Sequence, residues 1–127
     1  MLLRVLVAAA LVTDAAIHIW LAPGYQLANP AGIGQGNLFD AESGVAILVA
    51  LYVLIRGSRP AFLAALLVLA SAFAAVVVTT SVVLPQLGLI PPMYEPVWYF
   101  EKSLSAVAEG VGALLALFGL FFARRRR

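Results

Sequence analysis

Asp14 and His18 put a carboxylate and an imidazole four residues apart, in the stretch Thr13-Asp14-Ala15-Ala16-Ile17-His18, inside an otherwise apolar segment. Residues at that spacing share one face of a helix. Such a pair can relay a proton, work as general acid and base, or ligate a metal. Farther along, Glu101, Ser105 and Glu109 follow i, i+4, i+8, and Lys102, the single lysine, falls on the same broad face seven residues before Glu109. Asp40, Glu42 and Ser43 form a third polar group, and Thr79, Thr80 and Ser81 a fourth.

The elements that carry these groups are apolar. The 127-residue chain is 64% hydrophobic and 11% charged, against about 25% charged residues in a soluble domain. It cannot cover a water-facing surface, so the expected class is all-α, an integral membrane four-helix bundle in one domain. Four apolar stretches, residues 2–22, 38–55, 61–84 and 97–123, approach or exceed the roughly 20 residues that a spanning helix needs. No stretch alternates with the period of a membrane strand. Asn37 with Asp40 three residues on resembles an N-cap opening the second helix. Gly57 suits that helix's C-terminus, and Pro60 the start of the third. The short 56–60 linker makes those two helices an antiparallel hairpin. Residues 1–12 have the look of a signal peptide, but the apolar run continues through Ile17 to Leu21 and gives a full span.

Arg4, Arg56, Arg59 and the tail Arg124–Arg127 all flank helix ends on one side, and the 1–2 and 3–4 loops hold no Lys or Arg. The positive-inside rule then places both termini in the cytoplasm of an inner (plasma) membrane, with Trp20, Tyr25, Tyr94, Trp98 and Tyr99 at the outer interface. The arginine tail beside an apolar helix reads as an orientation signal facing anionic lipid, and nucleic-acid binding is not expected. The absence of cysteine removes disulfides and thiolate metal sites. Gly32, Gly34 and Gly36 lack the spacing of a nucleotide loop and read as an outer loop.

Helix rise puts Asp14 roughly 15 Å from Arg4 and 13 Å from Pro23, and Glu109 roughly 16 Å below Trp98. Two carboxylates from different helices therefore reach similar depth, where facing lipid costs about 2.5–3.5 kcal/mol. The polar groups of all four helices gather in the outer half. This predicts an outward-facing pocket built by Asp14, His18, Glu42, Glu101, Lys102 and Glu109 over a dry cytoplasmic half. His18 is expected level with Glu101 and Lys102. Leu87, Leu89, Ile90 and Met93 let the second outer loop dip into the interface. Ala108, Gly112 and Ala116 form a small-residue row for close helix packing.

Several chemistries fit. Asp14, His18, Glu42, Glu101 and Glu109 offer ligands suited to zinc or manganese, with Asp14, His18 and Glu109 the leading candidates; one histidine gives a single haem ligand per chain. No cofactor is required by the sequence. Proton- or metal-linked transport of a small solute would use the acid and imidazole chain, but that chain stops halfway, and inverted repeats and broken helices are missing. No nucleophile motif or cofactor fingerprint supports an enzyme. A polar cluster acting only as packing glue is the plain structural alternative. The leading expectation is an accessory membrane subunit binding a membrane-protein partner or a small, apolar or quinone-like ligand.

The segments Leu2–Trp20, with a basic residue opening the first helix and a histidine near its outer end, and Val97–Leu117, with a Glu-Lys then Glu pattern, resemble those of small four-span bacterial membrane proteins grouped as DoxX-like. The resemblance extends over nearly the whole chain and implies an accessory membrane subunit in redox or stress physiology. It assigns no functional residue.

Overall fold

The structure, a computed structural model, describes residues 1–26, 33–85 and 90–123. The arginine tail 124–127, Gly32 of the first loop, and Leu87 and Leu89 of the second lie outside the described residues. Four helices follow in order: α1 (Leu2–Gln26), α2 (Gln35–Arg56), α3 (Arg59–Ser81) and α4 (Phe100–Phe122). Each is long and apolar enough to cross a membrane. Contacts run α1–α2, α2–α3, α3–α4 and α4–α1, with little across the α1–α3 diagonal. The result is a four-membered ring of helices, up-down-up-down.

Why these helices pair is visible in their stripes. Val7, Leu11, Asp14 and His18 are buried along α1, at alternating steps of four and three. On α4, Lys102, Ser105, Glu109, Gly112, Ala116 and Gly119 repeat the three-four rhythm of a knobs-into-holes seam. Gly112 is intramolecular packing: a Cβ there would meet Ala10 Cβ at 2.6 Å and Leu69 Cδ1 at 2.9 Å. Ala108, expected in the row, is only half-buried, and Gly119 takes its place farther down. Large apolar side chains such as Leu48, Leu67, Leu114 and Phe121 point outward, as a lipid-facing surface requires.

Helix boundaries differ from the sequence expectation in four places. α1 runs through Pro23 to Gln26 instead of stopping at Ala22. Its last turn is held by tertiary contacts, because Tyr25 packs on Phe39 with ring centroids 4.9 Å apart. α2 is capped by Gly34, not Asn37: the Asn37 amide already donates to the Gly34 carbonyl. α3 ends at Ser81 and α4 begins at Phe100, shorter than the apolar runs. Pro85 favours an extended Leu84, and Leu84 exchanges two 3.0 Å backbone hydrogen bonds with Met93 in an antiparallel bridge.

The two ends of the bundle are unlike. Arg4, Arg56 and Arg59 lie together at one end. Gly57 there has φ 55°, the left-handed C-cap that favours glycine, and the Arg4 side chain lies across it. Arg59 Nε donates to the Ala123 carbonyl at 3.1 Å, tying the hairpin to the end of α4. Just inside this basic end lies a dry core of Val7, Leu11, Val53, Phe62, Leu69 and alanines.

Candidate functional site

Asp14 stands in the middle of α1, twelve residues from either end. It is fully buried, on the stripe that carries Val7 and Leu11 below it. One turn toward the opposite end, His18 folds back over it. Its Nδ1 is 2.8 Å from the Asp14 carbonyl and 2.9 Å from Asp14 Oδ1. The i, i+4 spacing read from the sequence is thus a direct contact. Phe39 sets its ring edge-on to the imidazole at 4.8 Å.

α2 and α4 complete the group. Glu42 Oε2 lies 3.5 Å from His18 Nδ1. Ser105 Oγ is 2.6 Å from Glu109 Oε1 and 3.3 Å from Asp14 Oδ1, so it bridges α4 to α1. Ser105 thus links the Glu109 carboxyl to that of Asp14, and one Glu42 oxygen lies within 4.8 Å of an Asp14 oxygen. Next door, Ser43 fastens α2 to α1 by donating to the Ala15 carbonyl at 3.1 Å.

The donors do not match the acceptors. Three carboxyl groups offer six oxygens. His18 Nδ1 and Ser105 Oγ supply one hydrogen each at most. Asp14 Oδ2, both Glu42 oxygens and Glu109 Oε2 are buried with no hydrogen-bond partner. Among the described residues, the ion pairs are His18 with Asp14 and His18 with Glu42. A buried carboxylate without a donor or counter-charge is costly. Protons shared between the facing carboxyls, water, or a bound cation must make up the difference.

A cavity of about 250 Å³ opens above this group, on the side away from the basic end. At roughly 30 Å³ per water, that is room for about eight waters. His18, Glu42 and Ser105 line it, whereas Asp14 and Glu109 lie behind them. Phe39, Leu38, Ala72, Val76, Thr79 and Met93 form apolar or half-polar walls. Thr79 is quiet toward the cavity, because its hydroxyl donates to the Ala75 carbonyl at 2.7 Å.

The rim is tied shut on one side by a cluster of phenols and a carboxylate. The Tyr25 hydroxyl bonds Glu95 Oε2 and the Tyr99 hydroxyl, joining the end of α1 to the segment before α4. Burial pushes the Tyr99 phenol above its ordinary range; the charges of Glu95 and Glu101 add to this, and the Tyr25 bond opposes it. Lys102 Nζ donates to the carbonyls of Glu95 at 2.6 Å and Val97 at 3.1 Å, and sits 4.9 Å from the Trp98 ring centroid.

Asp14, His18, Glu42 and Glu109 are therefore gathered as expected. Lys102 lines the cavity but spends its hydrogens on carbonyls and makes no ion pair among the described residues. Glu101 is half-exposed and does not line the cavity. The ligand atoms of Asp14, His18 and Glu42, rather than those of Asp14, His18 and Glu109, lie within 4.8 Å of one another. Asp40 is exposed. Tyr25 and Tyr99, expected as interface anchors, pair their hydroxyls with each other, and Tyr25 also bonds Glu95, a residue that the sequence pattern does not single out. Trp20 and Trp98 are exposed, as interface residues should be.

Comparison with protein-family models, with curated proteins and with solved structures finds no match to this chain.

Proposed function

We propose that this is an inner-membrane protein, both termini cytoplasmic, that binds a small ligand in a pocket open to the outer side. The single observation behind this reading is the cavity floor, where the oxygens of Glu42, and behind it Asp14 Oδ2 and Glu109 Oε2, are buried with no hydrogen-bond partner among the described residues. Polar residues serving only as packing glue would satisfy one another, as Ser43 does with its backbone partners. The floor is rich in acceptors, so it favours a ligand bearing N–H or O–H donors or a positive charge. A quinone offers acceptors alone and would deepen the deficit. The gathering of Arg4, Arg56 and Arg59 at the far end supports the orientation. The accessory-subunit role implied by the DoxX-like resemblance is compatible with a binding pocket of this kind. Transport is the weaker reading, because beneath Asp14 and Glu109 the core is apolar down to the basic end.

The chain has no cysteine, so a single introduced thiol is a clean probe. Thr79→Cys places it on the cavity wall. In sealed vesicles a membrane-impermeant maleimide should label T79C from the outer side, and Val53→Cys in the dry half from neither side. Labelling of T79C from the cytoplasmic side alone, or from neither, contradicts the reading.

A further inference from the structure

The floor of the cavity has the geometry of a metal centre. Asp14, His18 and Glu42 each offer one ligand atom, and all three atoms lie within 4.8 Å of one another. The edges from His18 Nδ1 are 2.9 Å to Asp14 Oδ1 and 3.5 Å to Glu42 Oε2. An ion bound at about 2.0–2.2 Å to nitrogen and oxygen sets neighbouring ligand atoms roughly 2.9–3.5 Å apart, from right-angle to tetrahedral geometry. The two edges from His18 fall in that range, and the Asp14 and Glu42 ligand atoms lie within 4.8 Å of each other.

A second observation points to the ion independently. Asp14 is fully buried, yet its Oδ2 has no partner; the same holds for Glu109 and its Oε2. Three carboxyls and one imidazole meet here, and among the described residues the nearby cation, Lys102, is turned to carbonyls. A divalent cation supplies the missing positive charge at one point. Ser105 already holds Asp14 Oδ1 and Glu109 Oε1, the kind of outer hydrogen bond that orients a ligating carboxylate.

We propose that Asp14, His18 and Glu42 bind one divalent transition-metal ion at the cavity floor, with Ser105 and Glu109 positioning Asp14 from behind. One imidazole nitrogen with carboxylate oxygens, and no thiolate, is the donor set of zinc or manganese. Binding through Nδ1 takes the neutral imidazole with its proton on Nε2: an imidazolium releases its Nδ1 proton to solvent through the cavity, and a neutral ring carrying that proton on Nδ1 transfers it to Nε2. The proposal deepens the reading of the pocket as a binding site: the cavity is the ion's route of entry.

The test uses the full chain in detergent micelles, stripped with a chelator and titrated by calorimetry with zinc(II) or manganese(II) alone. One ion per chain is expected. His18→Gln and Glu42→Gln should each abolish stoichiometric binding, and Ser105→Ala should weaken it 10–100-fold while keeping the stoichiometry. Glu42 borders the cavity and is part-exposed, so E42Q keeps the test alive if H18Q does not fold; wild-type helicity by circular dichroism is the criterion. Failure of the wild type to bind either ion overturns the proposal, as does equal binding by a folded E42Q. T79C labelling separates the two claims: an accessible pocket without metal sinks the ion alone, whereas an inaccessible T79C sinks the pocket.

Discussion

Among the described residues, Ser105 is the hydroxyl that serves the buried carboxyls, and its removal has a calculable cost. Ser105→Ala deletes a single oxygen and leaves almost no void. Glu109 Oε1 then joins Oε2 as an orphan on a fully buried side chain, while Asp14 Oδ1 keeps His18. An orphaned buried acceptor costs about 1–3 kcal/mol, or roughly 5–150-fold in the unfolding equilibrium. Ser43→Ala is the control. Its hydroxyl donates to the Phe39 and Ala15 carbonyls, both inside helices and paired there already. Its loss should cost only about 0.6 kcal/mol, the average for such bonds within membranes. Equilibrium unfolding in mixed detergent micelles, followed by tryptophan fluorescence, measures both. The Ser105 cost should also shrink in a Glu109→Ala background, with a coupling of about 0.5–3 kcal/mol. An S105A cost no larger than that of S43A, or one unchanged without Glu109, would refute the reasoning.

Other expectations follow from the same geometry. Gly119→Ala drives a methyl into the Phe62 ring and should destabilise by about 1–3 kcal/mol; Gly44→Ala meets nothing and should be neutral or gain up to about 1 kcal/mol from helix propensity, both read from the same unfolding curves. Gly57→Ala forces an alanine into φ 55° and displaces Arg4, which should cost about 1–2 kcal/mol or more. Tyr99 holds its proton more tightly folded than unfolded. Its contribution is therefore complete below the ordinary phenol pKa of about 10, and is lost as pH climbs through the higher folded value. Tyr99→Phe should flatten that alkaline decline in stability; an identical pH profile would count against burial as the cause.

The architecture was readable because each buried stripe obeys its helix. Asp14 and His18 continue the register of Val7 and Leu11, so their inward direction followed from spacing alone. Glu101 shows where spacing misled. Two i+4 steps carry Glu101 about 80° around the axis from Glu109, whereas the seven-residue step from Lys102 drifts only about 20°. The seam accordingly admits Lys102 and leaves Glu101 outside. Glu42 could be placed at the right depth, but its approach to His18 depends on how α1 and α2 are rotated against each other, and no pattern within either helix reports that. Tyr25 and Glu95 were hidden for another reason. Pro23 signals a helix end that the Phe39 contact overrides, and Glu95 lies in an irregular segment with no periodicity to read. Lys102, placed by spacing on the pocket face, spends its hydrogens on the carbonyls of Glu95 and Val97, and no helix pattern reports that irregular segment.

At the centre of this account, side chains from α1, α2 and α4 form one polar floor at mid-membrane depth. Solid-state NMR on the isotope-labelled chain in lipid bilayers tests it most directly. The account predicts through-space correlations from the Ser105 β-carbon to both the Asp14 and Glu109 carboxyl carbons, and from the His18 ring to the Glu42 carboxyl, all within about 5–6 Å as hydrogen-bonded side chains require. Asp14 and Glu109 carboxyls more than about 10 Å apart, with only apolar side chains correlating to each, lie beyond any shared hydrogen-bond network and would contradict it.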